Sequence, residues 1–518
     1  MAKNKVLWVD DEIEFLQPHI LLLREKGYKV ETANNADDAI SMIKSQNFDL
    51  VLLDEMMPGK DGLTALGEIK QHSPGLPVIM ITKNEEESLM EDAIGAKIDD
   101  YLTKPVNPSQ ILMACKKFLE SKDISQKKLT QTSSQKINQI ALRLMERLDY
   151  RDWIDIYLKL TDWDIELDGM NEPQMRELIY DQRKECNVEF GKFIDKNYQN
   201  WIHGITERPT LSIDIVKNYV YPRLKDGQRV VFVVIDCLRL DQWLTLQSYF
   251  YDFFNISKDY YYSILPTATP FARNAIFSGL YPLDIERRYP ELWAQGEDDD
   301  YSRNRYEDKL IYDQLRVLGL KLRSEPKYVK VLNTEDARNL EKNLSNYLSS
   351  PMLSIVLNFV DILAHSRSDL PILKEIAPNE PSYRSLTRSW FEHSPVYSVF
   401  KKLAEQDVTV IVTSDHGSVR SLRGTKIIGD REASTNLRYK FGRNLKVEQK
   451  HAVFVKNPKD YKLPQRNFNL NYVIAKEDYY FVYPTNYHKY LAYYRDSFQH
   501  GGISLEEMIL PVVTLQPK

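Results

Sequence analysis

The sequence has no apolar run near the roughly 20 residues that a helix needs to cross a bilayer, so no helical membrane span is expected. Its first residues, Met1 to Lys5, lead straight into a core-like strand and leave no room for a secretory leader. Cysteine is scarce. Cys115, Cys186 and Cys237 lie far apart, which excludes a disulfide framework or a thiolate zinc site and points to a reducing cytoplasm. There is no excess of positive charge either: 69 Lys and Arg against 74 Asp and Glu give a net charge of −5, with no global drive toward nucleic acid. No basic recognition helix or helix-turn-helix signal is found, so an ordinary DNA-binding output is not expected. What is present is length for about three or four units (518 residues), an ordinary balance of 43% hydrophobic and 28% charged residues, and 32 tyrosines that could supply stacking surfaces.

Four short apolar runs open the chain. Lys5-Val6-Leu7-Trp8-Val9 ends in Asp10-Asp11-Glu12, and Leu50-Val51-Leu52-Leu53 ends in Asp54. Val78 to Ile81 ends in Thr82, and Tyr101-Leu102-Thr103 is followed by Lys104-Pro105. Runs this apolar and this short read as buried strands of an open α/β sheet, whose carboxyl edge is where ligands bind. Three carboxylates, a hydroxyl and an ammonium on one edge suit phosphoryl transfer to a carboxylate. Asp10 and Asp11 would hold Mg²⁺, Asp54 would attack phosphorus, Lys104 would offset the phosphoryl charge and Thr82 would bond the arriving group. These residues, in this order, make residues 3–120 resemble a flavodoxin-like receiver domain of a two-component response regulator. That resemblance implies phosphorylation at Asp54, an Mg²⁺ site formed by Asp10, Asp11, Asp54 and Met56, an aromatic switch residue at Tyr101, and a sensor histidine kinase as partner.

A polar stretch, 121–135, then reads as a linker. Beyond it apolar residues recur at helical spacing: Ile137, Ile140, Leu144 and Leu148, then Trp153, Ile156, Tyr157 and Leu160, then Met175, Ile179, Phe190, Ile194 and Tyr198. A small helical bundle is expected over about 136–205.

A second set of strand ends follows. Arg229 to Ile235 delivers Asp236, Ser354 to Val360 delivers Asp361 with His365 four residues on, and Val408 to Ser414 delivers Asp415-His416-Gly417. Near the end, His500-Gly501-Gly502 precedes the strand-like Met508 to Val513. A lone strand-end Asp more often caps a helix, but three Asp and three His together make a two-metal constellation. Thr269 opens an apparent helix and would be the nucleophile, although a hydroxyl there is also an ordinary N-cap.

With Arg273 four residues after Thr269, and Ser278-Gly279 nine and ten after it, residues 228–518 resemble the alkaline phosphatase superfamily, and within it the PglZ-type branch. The resemblance implies one ion on Asp361, His365 and His500 and another on Asp236, Thr269, Asp415 and His416. Mixed His and carboxylate ligands suit Zn²⁺ better than Mg²⁺, with Mn²⁺ as an alternative. Pro270 directly after the nucleophile, and an unaligned insertion at about 281–350, depart from the pattern.

A Thr nucleophile excludes a sulfatase and points to a phosphodiesterase. Arg273, as a substrate contact, would favour a monoesterase. The cations between Arg420 and Arg443 suggest a track for a nucleotide or oligonucleotide. The expected architecture is therefore α/β multidomain: a receiver over 1–121, a linker and helical bundle over 122–209, and an alkaline-phosphatase-like α/β domain over 210–518. That order resembles the response regulators of type IX secretion, which implies a secretion-motor protein and a sigma factor as further partners and a homodimer when phosphorylated. The alternatives are a non-catalytic docking scaffold and a phosphomonoesterase.

Overall fold

The computed structural model describes residues 4–83, 98–119, 136–168, 170, 173–293, 304–430, 436–465 and 469–518; the expected linker at 121–135 lies outside them. The chain divides into two units, Met1–Lys136 and Ile137–Lys518.

In the first unit, β1 (Lys5–Val9), β2 (Lys29–Ala33), β3 (Leu50–Asp54), β4 (Val78–Thr82) and β5 (Asp100–Thr103) form a parallel sheet in the order β2-β1-β3-β4-β5. Both faces are covered. Leu7, Val9, Val51 and Leu53 pack on the helices Ala36–Ser45 and Gly62–His72, while Val6, Trp8, Leu50 and Leu52 pack on Gln17–Glu25 and Pro108–Leu119. This two-sided burial is why β3 is apolar at every position but its last. The strand order reverses between β1 and β3, so the crevice of this doubly wound sheet opens over Asp10 and Asp54.

The second unit is built on β6 (Val230–Ile235), β7 (Phe254–Tyr262), β8 (Lys327–Val331), β9 (Met352–Leu357), β10 (Thr409–Thr413) and a C-terminal strand, Ile509–Pro517. The order is β7, C-terminal strand, β10, β6, β9, β8. The four strands from β10 to β8 are parallel, and the last two pairings, through Ile509–Pro517, are antiparallel. Every residue of β6, β9 and β10 is buried.

Helices Tyr150–Glu166 and Pro173–Ile202 lie where the apolar spacing predicts them, and they do not stand alone. Trp153, Phe190, Ile194, Tyr198 and Trp201 share one core with Phe232, Tyr262, Phe271 and Ile503 of the large sheet and its coverings. Polar contacts reinforce the join: the Leu265 amide donates to the Tyr198 hydroxyl at 2.8 Å, and the Leu505 amide to Asn187 Oδ1 at 2.8 Å. The helices brace the two loops, around 265 and 505, that flank the strand-end residues.

This bracing is testable. Phe190 is fully buried, edge-on to Trp153 at 5.4 Å and tilted against Tyr262 at 6.1 Å. Phe190→Ala should cost about 3–5 kcal/mol in denaturant unfolding of the whole second unit, followed by tryptophan fluorescence. An unchanged main transition, with only a small helical segment melting early, would show that the helices fold separately.

Candidate functional site

In the first unit the predicted residues converge. The ligand atoms of Asp10, Asp11 and Asp54 lie within 4.8 Å of one another, and Lys104 Nζ reaches Asp10 Oδ2 and Asp54 Oδ1 at 3.0 Å each. Burial at the sheet edge pushes the Asp54 carboxyl above its usual range against the pull of Lys104, and the neighbouring Asp10 adds to the rise. Two buried carboxylates and an exposed third beside the Lys104 ammonium are short of positive charge, which is what a divalent cation supplies. Met56 turns its side chain to solvent, so its hard carbonyl oxygen is the atom an Mg²⁺ ion would take. Thr82 donates its hydroxyl to Glu55 and Tyr101 stands 44% exposed. Glu55 was not singled out from the sequence, where it reads only as the next residue after the strand.

In the second unit the carboxyl ends of β6, β9 and β10, with the turn after the short strand Ser497–Gln499 that carries His500, bring two groups together: Asp236, Asp415 and His416, and Asp361, His365 and His500. The His416 and His500 rings stack at 4.3 Å between centroids, which sets the groups side by side. Asp361 Oδ1, His365 Nε2 and His500 Nε2 are separated by 3.3, 3.4 and 3.6 Å. Ligands held about 2.0–2.1 Å from a tetrahedral zinc lie about 3.3–3.4 Å apart, so this spacing fits an ion. Two imidazole nitrogens facing each other at that distance gain little without one. The first group fits too. Asp415 Oδ1 accepts from the Cys237 and His416 amides, leaving Oδ2 buried with no hydrogen-bond partner, as is Asp361 Oδ1. His416 Nδ1 lies 3.1 Å from the Gly417 carbonyl, which fixes its proton there and turns the lone pair of Nε2 into the site.

Thr269 completes the first group. Its Oγ1 sits 3.0 Å from His416 Nε2 and 3.3 Å from Asp236 Oδ1. It is the first residue of helix Thr269–Ser278; the N-cap is Ala268, so the hydroxyl points into the site and does not cap. Pro270 falls in the first turn, where its missing N–H costs nothing. Ser278 and Gly279 end the helix, Gly279 at φ +67°. Thr267, the other hydroxyl of this turn, donates to the Gly502 carbonyl at 2.7 Å and so fixes the turn that carries His500. Gly417 is required by a close approach: a Cβ there would meet the Glu506 carbonyl at 1.9 Å.

Arg273, expected to reach substrate, does something else. It is buried, with Nη1 2.5 Å from Asp236 Oδ2 and Nε 2.7 Å from Glu307 Oε1. Glu307 in turn accepts from Asn304 at 2.8 Å and from Tyr328. Asn358 donates to Asp236 Oδ2 at 2.8 Å. Glu307 and Asn358 carry no spacing signal in the sequence, because Arg273 and Asp236, their partners, lie on other elements. Three of the cations of 420–443 are also engaged internally: Arg420 with Asp496, Arg423 with Glu477 and Asp478, and buried Arg438 with Glu507 at 2.6 Å. Arg443 lies 3.6 Å from Asp430, and Lys426 Nζ 5.0 Å from the Tyr487 ring centre; Arg431 lies outside the described residues.

Residues 215–515 match the BREX system PglZ alkaline phosphatase-like domain, well over half of the chain. The chain belongs to the PglZ alkaline phosphatase-like family. Residues 6–116 match the response regulator receiver domain and 123–202 the PorX response regulator linker domain, so the domain order is that of the PorX response regulators.

The transcriptional regulatory protein ResD of Bacillus subtilis (strain 168) is 35% identical over 117 residues, 23% of this chain and 48% of that protein. The alginate biosynthesis transcriptional regulatory protein AlgB of Pseudomonas aeruginosa is 32% identical over 123 residues, 24% of this chain and 27% of that protein. The chain thus spans about half or less of these curated relatives. Among solved structures, a CheY-like receiver from Methanospirillum hungatei JF-1 is 29% identical, covering 24% of this chain and 99% of its own, with a TM-score of 0.23. TrrA of Thermotoga maritima, in complex with Mg²⁺ and BeF, is 33% identical, covering 22% and 99%, with a TM-score of 0.21. Among the described residues of the PglZ-family chain, no helix is long and apolar enough to cross a membrane.

The electrostatics of the second site make a prediction. Burial pushes Asp236 up to about 7 and Asp415 up to about 6, in both cases against Arg273. Burial also works to raise Asp361, but His365 and His500 hold it below the usual carboxylate range. A cation must displace the protons of Asp236 and Asp415, so zinc affinity should rise as the pH climbs through about 6–7 and flatten above. Competition with a chromophoric chelator at several pH values reads this directly. A pH-independent affinity across that window would contradict the assignment.

Proposed function

We propose that this chain is a response regulator in which phosphorylation at Asp54 controls a zinc-dependent phosphodiesterase acting on nucleotides or short oligonucleotides. The observation that carries the reading is the Thr269 hydroxyl, held between His416 Nε2 and Asp236 Oδ1 at a helix N-terminus, beside a second Asp and His group. Asp361, His365 and His500 would hold one zinc ion, and Asp236, Thr269, Asp415 and His416 the other. Bound zinc would lower the pKa of the attacking hydroxyl and take up charge on the phosphoryl and leaving oxygens.

The chain's own residues do the rest. Thr269 Oγ attacks phosphorus and forms a P–O bond as the bond to the leaving alcohol breaks, and the alcohol departs with a proton. At the start of helix Thr269–Ser278 Pro270 has no N–H and the Phe271 and Ala272 amides donate to the Ala268 carbonyl, which leaves the Thr269 N–H as the backbone donor of that turn. Water then cleaves the phospho-Thr269 bond and returns the hydroxyl. Arg273 neutralises Asp236, so Asp236 can stay ionised in a dry site while its Oδ1 faces Thr269. Because Arg273 is committed to Asp236 and Glu307, it is not offered to the extra anionic oxygen of a monoester. That favours a diester. His365, with its side chain half exposed, marks the open side by which substrate enters.

Thr269→Ala should retain most of its zinc and lose diesterase turnover by at least about a hundredfold, whereas Asp361→Ala and His500→Ala should lose zinc as well. Zinc analysis and a chromogenic diester measure both. Turnover of Thr269→Ala within a few-fold of the parent would mean that water attacks directly.

The receiver reading adds a second test. With Mg²⁺ and a small phosphodonor, Asp54 should acquire acid-labile phosphate, and Asp54→Ala should not. Thr82 and Tyr101, now turned to Glu55 and to solvent, should reorient on phosphorylation and favour a dimer. Light scattering with a beryllofluoride mimic reports the mass; a mass that does not change would refute the switch. The PorX-type domain order supports a role in type IX secretion, with a sensor kinase, a secretion-motor protein and a sigma factor as partners, and a cytoplasmic setting.

A further inference from the structure

Among the described residues, the segment from Tyr483 to Arg495 is unlike the rest of this acidic protein. Its thirteen residues include five tyrosines, one histidine, Lys489 and Arg495, and no carboxylate. It forms the helix Tyr487–Tyr494, which has no buried residue. Tyr490 is 38% and Tyr493 49% exposed. The Tyr490 and Tyr494 rings, one turn apart, lie nearly parallel (14°) with centroids 5.9 Å apart, and Tyr493 stands edge-on to Tyr494 at 5.0 Å. Two ammonium groups ride on the same surface: Lys426 Nζ lies 5.0 Å from the Tyr487 ring centre and Lys489 Nζ 5.9 Å from that of Tyr490.

This surface is rigidly joined to the active site. Leu491 packs where a side chain on Gly424 would stand, 2.2 Å from its Cβ position, and the Tyr480 hydroxyl donates to the Leu491 carbonyl at 2.6 Å. After the helix, the Asp496 amide donates to the Ser421 carbonyl at 2.8 Å, and strand Ser497–Gln499 pairs with Val419–Ser421. The next residue is His500. Tyr494 therefore lies six residues before a proposed zinc ligand, within about 20 Å even if the chain were fully extended. A short oligonucleotide spans that distance.

We propose that the face of helix Tyr487–Tyr494 is a stacking platform that holds the bases of a single-stranded oligonucleotide while its phosphodiester lies at Thr269. Flat aromatic faces with ammonium groups between them, and no carboxylate to repel phosphate, match the chemistry by which single strands are bound without regard to sequence. The platform, with Lys426 among its cations, takes over the role that Arg420, Arg423 and Arg438 do not fill. It rests on the phosphodiesterase reading only for the identity of the scissile bond; base stacking is a binding property that survives loss of catalysis.

The test uses full-length, zinc-loaded protein and a fluorescein-labelled single-stranded oligothymidylate, with anisotropy read on the inactive Thr269→Ala background. Adding Tyr490→Ala and Tyr493→Ala should weaken binding on the order of tenfold or more, while Tyr490→Phe with Tyr493→Phe should bind like the parent. In the active protein, the alanine pair should leave turnover of a small chromogenic diester and zinc content unchanged. Oligonucleotide affinity within twofold of the parent in the alanine pair would overturn the platform, and so would a Thr269→Ala protein that binds no oligonucleotide. If instead the alanine pair keeps its affinity but loses the phosphorylation-dependent dimer, the face serves a second copy of the chain and the proposal falls. Failure of the parent to cleave the small diester would count against the phosphodiesterase reading alone, because the anisotropy comparison needs no cleavage.

Discussion

Everything at the second site depends on keeping the Asp236 carboxylate charged where water cannot reach it. Burial alone drives that carboxyl toward its neutral form, and a neutral acid is a poor ligand. Arg273 at 2.5 Å and Asn358 at 2.8 Å oppose the drive by binding the oxygen turned away from Thr269. Arg273 is itself buried and would be as costly alone as the acid. Glu307 answers it at 2.7 Å and is in turn bonded by Asn304 and Tyr328. A chain of alternating charges thus runs inward from the reacting hydroxyl to the strand edge at Tyr328. Each member is satisfied by the next, which keeps the first one in register.

The positions of the strand-end residues were legible in the sequence for a simple reason. A buried parallel strand must be apolar throughout, so a single Asp at the end of Val230 to Ile235, or of Leu50 to Leu53, stands out against its run. His416 and His365 were legible because each follows such an end closely, and His500 because it opens the His-Gly-Gly turn before the strand-like Met508 to Val513. Gly417 was part of the signal, although its reason, the nearness of the Glu506 carbonyl, needs the fold.

The supporting residues were not legible, and charge was misread where its partner was distant. Arg420, Arg423 and Arg438 look like a basic surface along the chain. Their carboxylates, Asp496, Asp478 and Glu507, lie 76, 55 and 69 residues away. Arg273 misled in the same way, since Glu307 is 34 residues on and Asp236 is 37 before it. The helical segment before the large sheet was visible by its period, but period says only that a face is apolar. Whether that face meets its neighbours or a sheet 70 residues on is decided by packing, and Phe190 against Tyr262 shows the outcome.

The two units place an Asp at the same point of the same kind of sheet, and the proposed chemistry gives the two different tasks. Among the described residues the cation paired with Asp54 is Lys104, shared with Asp10 at equal distance. Its burial raises its basicity, and in the proposed reaction one of its oxygens would attack phosphorus while Lys104, with Mg²⁺ where bound, would offset the charge. Asp236 has a guanidinium on one oxygen and an imidazole and a hydroxyl beside the other. With both oxygens engaged, it is suited to hold a cation and not to attack, and in the proposed reaction the attack falls to Thr269. The difference shows in what each product must do. An acyl phosphate on Asp54 would have to persist long enough to signal, and Lys104 would offset its charge. A phosphate ester on Thr269 must be cleared in every cycle, which is the task for which a second Asp and His group, open to solvent at His365, stands alongside.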